Sequence, residues 1–237
     1  NAPLLPGFDV VAYDISPDGQ RVIAAAIDDH GQKNFWLTKF DGLSPPRLIP
    51  NMQGGGRAFC GLDGEIFFGA REGTSTFAYR IHEDGSGLRK ALEQPIGNII
   101  SLSPDGQWLM VRLPGPDGYS ITAVPLRGGS PVHIIGGSGF TSANMTVRWS
   151  PEGRRLFISV PTSALEEFSG KTYVLPLAQG RMLPEVPAGG FRSEAEIAKL
   201  TGVLLMDALH VTPGPTPELY AFVRVTVQRN LFRIPLP

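Results

Sequence analysis

Cysteine is almost absent from this chain, and long hydrophobic runs and an excess of one charge are missing altogether. Cys60 is the single cysteine among 237 residues, which excludes an internal disulfide framework and a cysteine-based zinc site. No stretch approaches the roughly 18 apolar residues of a spanning helix, so we expect no membrane insertion by this segment. The net charge is −1, and we therefore expect no nucleic-acid partner held by gross electrostatics.

Catalytic and metal-binding motifs are also missing. The four histidines show no His-X-His or His-Glu-X-X-His spacing, and no Gly-X-Ser-X-Gly hydrolase motif occurs. The glycine-rich stretches 54–56 and 136–139 open no helix, so they predict loops between repeats and not phosphate-binding turns. We therefore expect no catalytic residue, no metal site and no cofactor.

Glycine and proline are abundant, with 29 and 22 copies, and they recur in one repeated turn between short apolar segments. Proline presets the backbone of a type I turn, serine and aspartate bond nearby N–H groups, and glycine accepts the exit conformation. A spacing of about 42–47 residues between the copies is typical of β-propeller blades. The copies are Ser-Pro-Asp-Gly at 16–19, Gly-Leu-Asp-Gly at 61–64, Ser-Pro-Asp-Gly at 103–106 and Ser-Pro-Glu-Gly at 150–153.

The strand pattern around these turns predicts an all-β propeller, with residues 1–237 forming a single domain of five four-stranded blades. We favour a closed five-blade ring in which residues 3–6 pair with 230–235, because an open ring leaves a bare sheet edge. A fragment of a six- or seven-blade ring is the alternative. The predicted blades cover residues 9–50, 57–94, 97–135, 145–187 and 207–237, the last closed by 3–6.

One short helix is predicted near 193–201, between the fourth and fifth blades. Ser193 and Glu196 have the spacing of a capping box, and Gly202 is a natural end. The surrounding insertion, 188–206, interrupts the blade rhythm. We interpret it as a surface elaboration, with a docking surface as the alternative.

The innermost strands carry polar residues at comparable positions when they are aligned on the turns. Asp14, Arg148 and His210 fall three residues before the second turn position, and Arg57 falls five before it. Innermost strands line the central channel of a propeller, so we predict that these four side chains converge there. They either bind a ligand at the channel mouth or satisfy one another between blades.

The turn-bearing repeats resemble the TolB-type, WD-repeat-like β-propellers of bacteria. Segments 16–22, 103–109 and 150–156 follow that family's Ser-Pro-Asp-Gly-X-X-aliphatic pattern, the last with glutamate in place of aspartate. The ending 227–236 also resembles the C-termini of extracytoplasmic propellers attached to bacterial serine/threonine kinases. This resemblance implies an extracytoplasmic sensor or interaction domain, anchored to the membrane through an N-terminal part of a longer protein.

Taken together, the residues and the resemblance predict a noncatalytic, monomeric propeller that binds a protein or small-molecule ligand at its mouth. One alternative is a small propeller glycosidase or lyase with its active site on the axis. Asp14 is the only acid that the alignment places there, which disfavours this alternative. A pure protein-interaction scaffold is the third hypothesis.

Overall fold

The computed structural model describes residues 5–28, 30–52, 56–115, 118–136, 140, 145–162, 169–214 and 219–222. Its strands form four four-stranded antiparallel sheets arranged as blades of a propeller ring, which confirms the predicted fold class. In each blade the strands follow one another in chain order, and the first strand is innermost, next to the first strand of the neighbouring blade.

The blades have the following strand bounds. Blade 1 contains β1 (Asp9–Ile15), β2 (Arg21–Ile27), β3 (Lys33–Lys39) and β4 (Arg47–Leu48). Blade 2 contains β5 (Ala58–Cys60), β6 (Glu65–Glu72), β7 (Ser75–His82) and β8 (Arg89–Lys90). Blade 3 contains β9 (Asn98–Leu102), β10 (Trp108–Gly115), β11 (Gly118–Pro125) and β12 (Val132–Ile135). Blade 4 contains β13 (Thr146–Trp149), β14 (Arg155–Pro161), β15 (Gly170–Pro176) and β16 (Leu204–Met206).

Apolar side chains fill the space between successive blades. Because a blade inside the ring is covered on both faces, its second strand is buried on both faces, as in β14, where residues 156–161 are all buried. Phe35 of blade 1 meets Phe68 of blade 2, with ring centroids 6.3 Å apart. On the opposite face of blade 2, Phe67 packs in one cluster with Leu109 of blade 3. Burial of these faces holds the blades together.

The repeated turn is held by the serine at its first position. Ser103 is buried, and its hydroxyl accepts from the N–H of Trp108 at 2.8 Å and donates to Asp105 at 2.5 Å. The Asp105 carboxylate accepts in turn from the N–H of Gln107 at 3.1 Å. These bonds connect the end of β9 to the start of β10, so the turn fixes the pairing of the two strands.

Blade 2 replaces the serine turn with a short 3₁₀ turn over Leu62–Gly64. Asp63 takes a φ of 53°, a left-handed conformation that aspartate tolerates better than most residues. Gly61 precedes the turn, and a Cβ atom there would lie 2.8 Å from the Phe67 ring and 3.1 Å from the Glu65 carbonyl oxygen. The departure from serine at this position therefore follows from close packing.

Beyond blade 4, the described residues form a two-stranded sheet, β17 (Thr212–Pro213) with β18 (Tyr220–Ala221), and most of the predicted fifth blade lies outside the described residues. Val211 is fully buried against Phe157 and Val174 of blade 4, as the start of a further blade requires. Residues 223–237 and residues 3–4 of the predicted closing strand lie outside the described residues. Pro6, from the same segment, lies in a turn. Ring closure therefore stays a prediction.

The insertion between β15 and β16 is a strap (178–203) that joins blades 3 and 4, and not a surface elaboration. Phe191 is buried and lies parallel to the outer strand of blade 3, donating its N–H to the Ile134 carbonyl at 2.9 Å. The Phe191 carbonyl accepts from the Gly136 N–H at 2.9 Å. The strap therefore pairs with an edge that would otherwise be exposed.

The strap carries the helix α1 (Glu194–Ala198), which is shorter than predicted. Ser193 caps it as predicted, accepting from the Glu196 N–H at 3.3 Å, and Ile197 is fully buried. Among the described residues, no helix is long and apolar enough to cross a membrane. The fourth strand of blade 4 follows the strap at 204–206, so the predicted blade end at 187 is wrong because the insertion separates β15 from its partner.

Candidate functional site

The innermost strands β1, β5, β9 and β13 lie side by side around the channel. Asp14, Ser101 and Arg148 each lie two residues before the first residue of their turn, opposite the second strand of their own blade. The sequence alignment is therefore correct for blades 1, 3 and 4, because the turn fixes how far the innermost strand extends.

Asp14 spans the junction between blades 1 and 2. Its Oδ2 accepts from the backbone N–H of Cys60 at 2.8 Å. Burial raises the pKa of the Asp14 carboxyl from 3.8 to about 6, and the Cys60 hydrogen bond and the charges of Arg148 and Arg57 only partly oppose this. Ionisation of Asp14 in the folded protein is therefore unfavourable in comparison with an exposed aspartate.

Arg148 reaches from blade 4 to the same place. Burial, and after it the positive charge of Arg57, lowers the pKa of its guanidinium to about 10. Asp14 and Tyr13 of blade 1 act in the opposite direction. Three of the four predicted site residues, Asp14, Arg57 and Arg148, thus lie within electrostatic reach of one another although they come from three blades. We refer to these three residues as the channel cluster.

The channel cluster is not a closed set of ion pairs. In the part of the chain that the structure describes, the guanidiniums of Arg57 and Arg148 have no hydrogen bond and no ion pair within 4.0 Å. Asp14 bonds a backbone N–H and not a guanidinium. The geometry therefore does not match the alternative in which these charges directly pair with one another.

The backbone on both sides of Arg148 is fixed. The Ser101 hydroxyl of blade 3 donates to the Val147 carbonyl at 2.6 Å, and the Trp149 indole N–H donates to the Met182 carbonyl of the strap at 2.6 Å. Val147 is fully buried, and Trp149 is nearly so. Arg148 therefore extends from a rigid segment, as binding residues do in preorganised sites.

The alignment does not hold at His210. The predicted strand over 209–214 is reduced to Thr212–Pro213, and His210 lies in the preceding bend with a φ of 54°. The sequence there lacks the serine that sets the strand end in the other blades. The role of His210 in the channel stays a prediction.

Sequence reasoning missed two contributors to the site. The Cys60 backbone N–H is one, and it could not be read from residue type because any residue supplies it. Tyr13 is the other: the residue is 59% exposed, and it acts to raise the pKa of Arg148. Its position next to Asp14 on an innermost strand could have indicated this role from the sequence.

A pair of acids suited to glycoside hydrolysis is not found on the innermost strands that the structure describes. Their only acids are Asp9 and Asp14, which lie five residues apart on β1. At the rise of an extended strand this separation is about 16 Å. Glycosidases need about 5–9.5 Å between their two carboxyl groups. Nor do the described residues contain a group of three or more His, Cys, Asp or Glu that could hold a metal ion.

A concavity of about 710 Å³ lies between blades 1 and 2, beside their first turns and apart from the channel cluster. Both of its arginines are already paired. Arg21 contacts Glu83 and lies 3.0 Å from Asp18, while Arg47 lies 3.2 Å from Glu83. An ion-pair network therefore joins the blades at this cleft, whereas Arg57 and Arg148 of the channel cluster have no ion pair among the described residues.

Known structures resemble this chain in fold. TolB from Acinetobacter baumannii superposes with a TM-score of 0.56 at 13% identity, over 73% of this chain and 42% of that one. A putative TolB from Agrobacterium tumefaciens gives 0.51 at 15% identity, over 70% of this chain and 60% of that one. The chain thus spans less than two thirds of either structure. No protein-family model matches the sequence, and no curated protein matches it.

Proposed function

We propose that this chain is a noncatalytic binding propeller that takes a protein or small-molecule ligand at its channel mouth. Its fold is that of TolB-like propellers, and a shared fold does not by itself assign a function. The observation that carries the proposal is the channel cluster, where charges from three blades meet without an ion pair among the described residues. Arg148 extends from a rigid strand and has no hydrogen-bond or ion-pair partner among the described residues, so a ligand can engage its guanidinium without breaking an existing bond.

The wider setting of the proposal is a sensor or interaction domain of a larger extracytoplasmic bacterial protein, acting as a monomer. Its support is the resemblance of 227–236 to kinase-attached propellers, together with the TolB-like fold. A pure scaffold is less favoured, because the strap is engaged in holding blades 3 and 4 together.

A ligand screen by thermal shift tests this proposal. Wild type, Arg148→Met and the control Arg154→Met would be screened against one library of metabolites and short peptides. Arg154 is an exposed arginine of the same blade, outside the channel cluster. We expect hits whose stabilisation is lost in Arg148→Met and kept in Arg154→Met. A screen in which every hit survives Arg148→Met contradicts a channel site.

Turnover assays test the enzyme alternative separately. Oligosaccharides and polyuronates would be incubated with wild type and Asp14→Asn, and new reducing ends or unsaturated products measured. We expect no turnover. Product formed by wild type and abolished in Asp14→Asn would replace the binding function with an enzymatic one.

A further inference from the structure

The channel cluster contains two positive groups and one negative group. Arginine stays protonated in proteins, and Arg148, with a pKa of about 10, is charged at neutral pH. Asp14, with a pKa of about 6, is then mostly ionised. The cluster therefore carries an excess positive charge that no described residue pairs with.

We propose that the channel cluster binds the oxyanion of an acidic ligand, a carboxylate or a phosphate, with Arg148 as the principal donor and Arg57 as the second. The inference rests on the proposed function, because it names the ligand class of the same site. A guanidinium presents a planar fork of donors that matches both oxyanions in bidentate geometry. Neither oxyanion requires any other group of the site to change its bonding.

The mutual effect of the two arginines supports an anion over a neutral or cationic ligand. The charge of Arg57 makes protonation of Arg148 less favourable, and Asp14 only partly offsets this. An anion between the guanidiniums relieves this repulsion, whereas a cation increases it. Hydrogen bonds to Ser101 and Met182 hold the neighbours of Arg148 in place. The backbone of Arg148 therefore loses little conformational freedom on binding.

Asp14 opposes the anion and so gives the site a pH dependence. The groups that face its carboxyl are Arg57 and Cys60 from blade 2 and Arg148 from blade 4, with Tyr13 beside it on β1. Burial, together with the charge of Asp14, raises the pKa of the Cys60 thiol, so the thiol stays neutral. Protonation of Asp14 then removes the only negative charge among these groups, and anion affinity rises as the pH falls.

Isothermal titration of the full chain tests the ligand class. The probes are citrate, inorganic phosphate, a triglutamate peptide and, as an uncharged comparison, glucose. The variants are Arg148→Met, Arg148→Lys and the matched control Arg154→Met. We expect an acidic probe to bind wild type and Arg154→Met alike and to bind Arg148→Met about tenfold or more weakly. Arg148→Lys keeps the charge but loses the fork, so a smaller loss is expected, and this variant serves if Arg148→Met does not fold.

The source of the oxyanion follows from the same titration. Tighter binding of the triglutamate peptide assigns the site to an acidic protein segment, and tighter binding of citrate or phosphate assigns it to a free acid. Sulfate, whose charge is constant over this range, tests the pH dependence. We expect stronger sulfate binding at pH 5 than at pH 8 in wild type, and no such change in Asp14→Asn.

Two further outcomes separate the failure of this inference from the failure of the proposed function. If glucose binds in an Arg148-dependent manner and no acidic probe binds, the oxyanion class is wrong while the channel site stands. If binding of no probe depends on Arg148, the oxyanion inference is overturned. The proposed function then fails as well if every hit of the broader thermal-shift screen survives Arg148→Met.

Discussion

At the scale of single residues, Asp14 keeps a carboxyl group where burial disfavours its charge. Its folded pKa of about 6 lies above the ordinary aspartate value of 3.8, so the folded state binds the proton more tightly than the unfolded state. The contribution of this group to stability is therefore greatest below about pH 4 and is lost as the pH rises through 6. An uncharged isostere avoids that loss.

Asp14→Asn is expected to increase the free energy of unfolding at pH 8 by about 1–3 kcal/mol, because the amide oxygen can still accept from Cys60 without an ionisation cost. The variant should also lose the fall in stability between pH 4 and 6. Urea unfolding at several pH values measures both effects, with exposed Asp207→Asn as the control. A variant less stable than wild type at pH 8 would contradict this reading of the Asp14 environment.

Gly61 gives a second test at this scale, since the other turns have serine there. Gly61→Ser is expected to lower stability by about 1–3 kcal/mol, although it restores the repeat consensus, because its Cβ would lie 2.8 Å from the buried Phe67 ring. The reverse change in blade 3, Ser103→Gly, should also destabilise, because it removes the bond to the Trp108 N–H. Thermal unfolding shows whether the repeat consensus or local packing decides stability at position 61. Stabilisation by Gly61→Ser would show that the consensus outweighs packing.

At the scale of elements, the strap depends on a close approach of backbones at Gly136. A Cβ atom at this position would lie 1.8 Å from the Gly189 carbonyl oxygen. Gly56 offers a matched control, because a Cβ there meets nothing within 4 Å. The strap contributes Phe191 and Ile197 to the core between blades 3 and 4, so its displacement exposes apolar surface.

Gly136→Ala is therefore expected to destabilise the protein by about 2–4 kcal/mol and Gly56→Ala to change stability little. Hydrogen exchange gives the sharper readout, because the Phe191 amide bonds to the Ile134 carbonyl across the strap. We expect faster exchange at Phe191 in Gly136→Ala. If the Phe191 amide were equally protected in Gly136→Ala and Gly56→Ala, the strap would not depend on the close approach of Gly136 to Gly189.

The sequence predicted best those features that depend on a few adjacent residues. The Ser-Pro-Asp-Gly turns and the Ser193 cap were predicted correctly because their bonds lie within five residues. The strap was misread because Phe191 pairs with Ile135, a partner more than 50 positions away, and no local pattern indicates that pairing. Within the site, alignment on the turns gave the strand positions of Asp14 and Arg148, whereas His210 lies in a bend at a turn without the serine, and its role stays a prediction.

At the scale of the whole molecule, the blades differ in how well their neighbours cover them. On β1, Val11, Tyr13 and Ile15 are 47%, 59% and 42% exposed, whereas Ile99, Ile100 and Ser101 on β9 are buried. β9 contacts the innermost strands of both neighbouring blades. Stability in repeat architectures is carried by such contacts between neighbours.

Backbone amides of β1 are therefore expected to exchange faster than those of β9 under native conditions, because the less covered blade opens at lower free energy. Native-state hydrogen exchange resolved by residue measures the difference. Slower exchange on β1 would show that its blade is covered as well as those inside the ring.

The central claim is that charges from three blades form a binding site in the channel. Arginine side-chain Nε–H spectra of the full chain, recorded during titration with an Arg148-dependent ligand, test it most directly. Arg148 and Arg57 should shift with saturation, while Arg154 and the cleft residues Arg21 and Arg47 stay unchanged. Shifts confined to Arg21 and Arg47, with Arg148 and Arg57 unmoved, would place binding in the cleft between blades 1 and 2 and contradict the account.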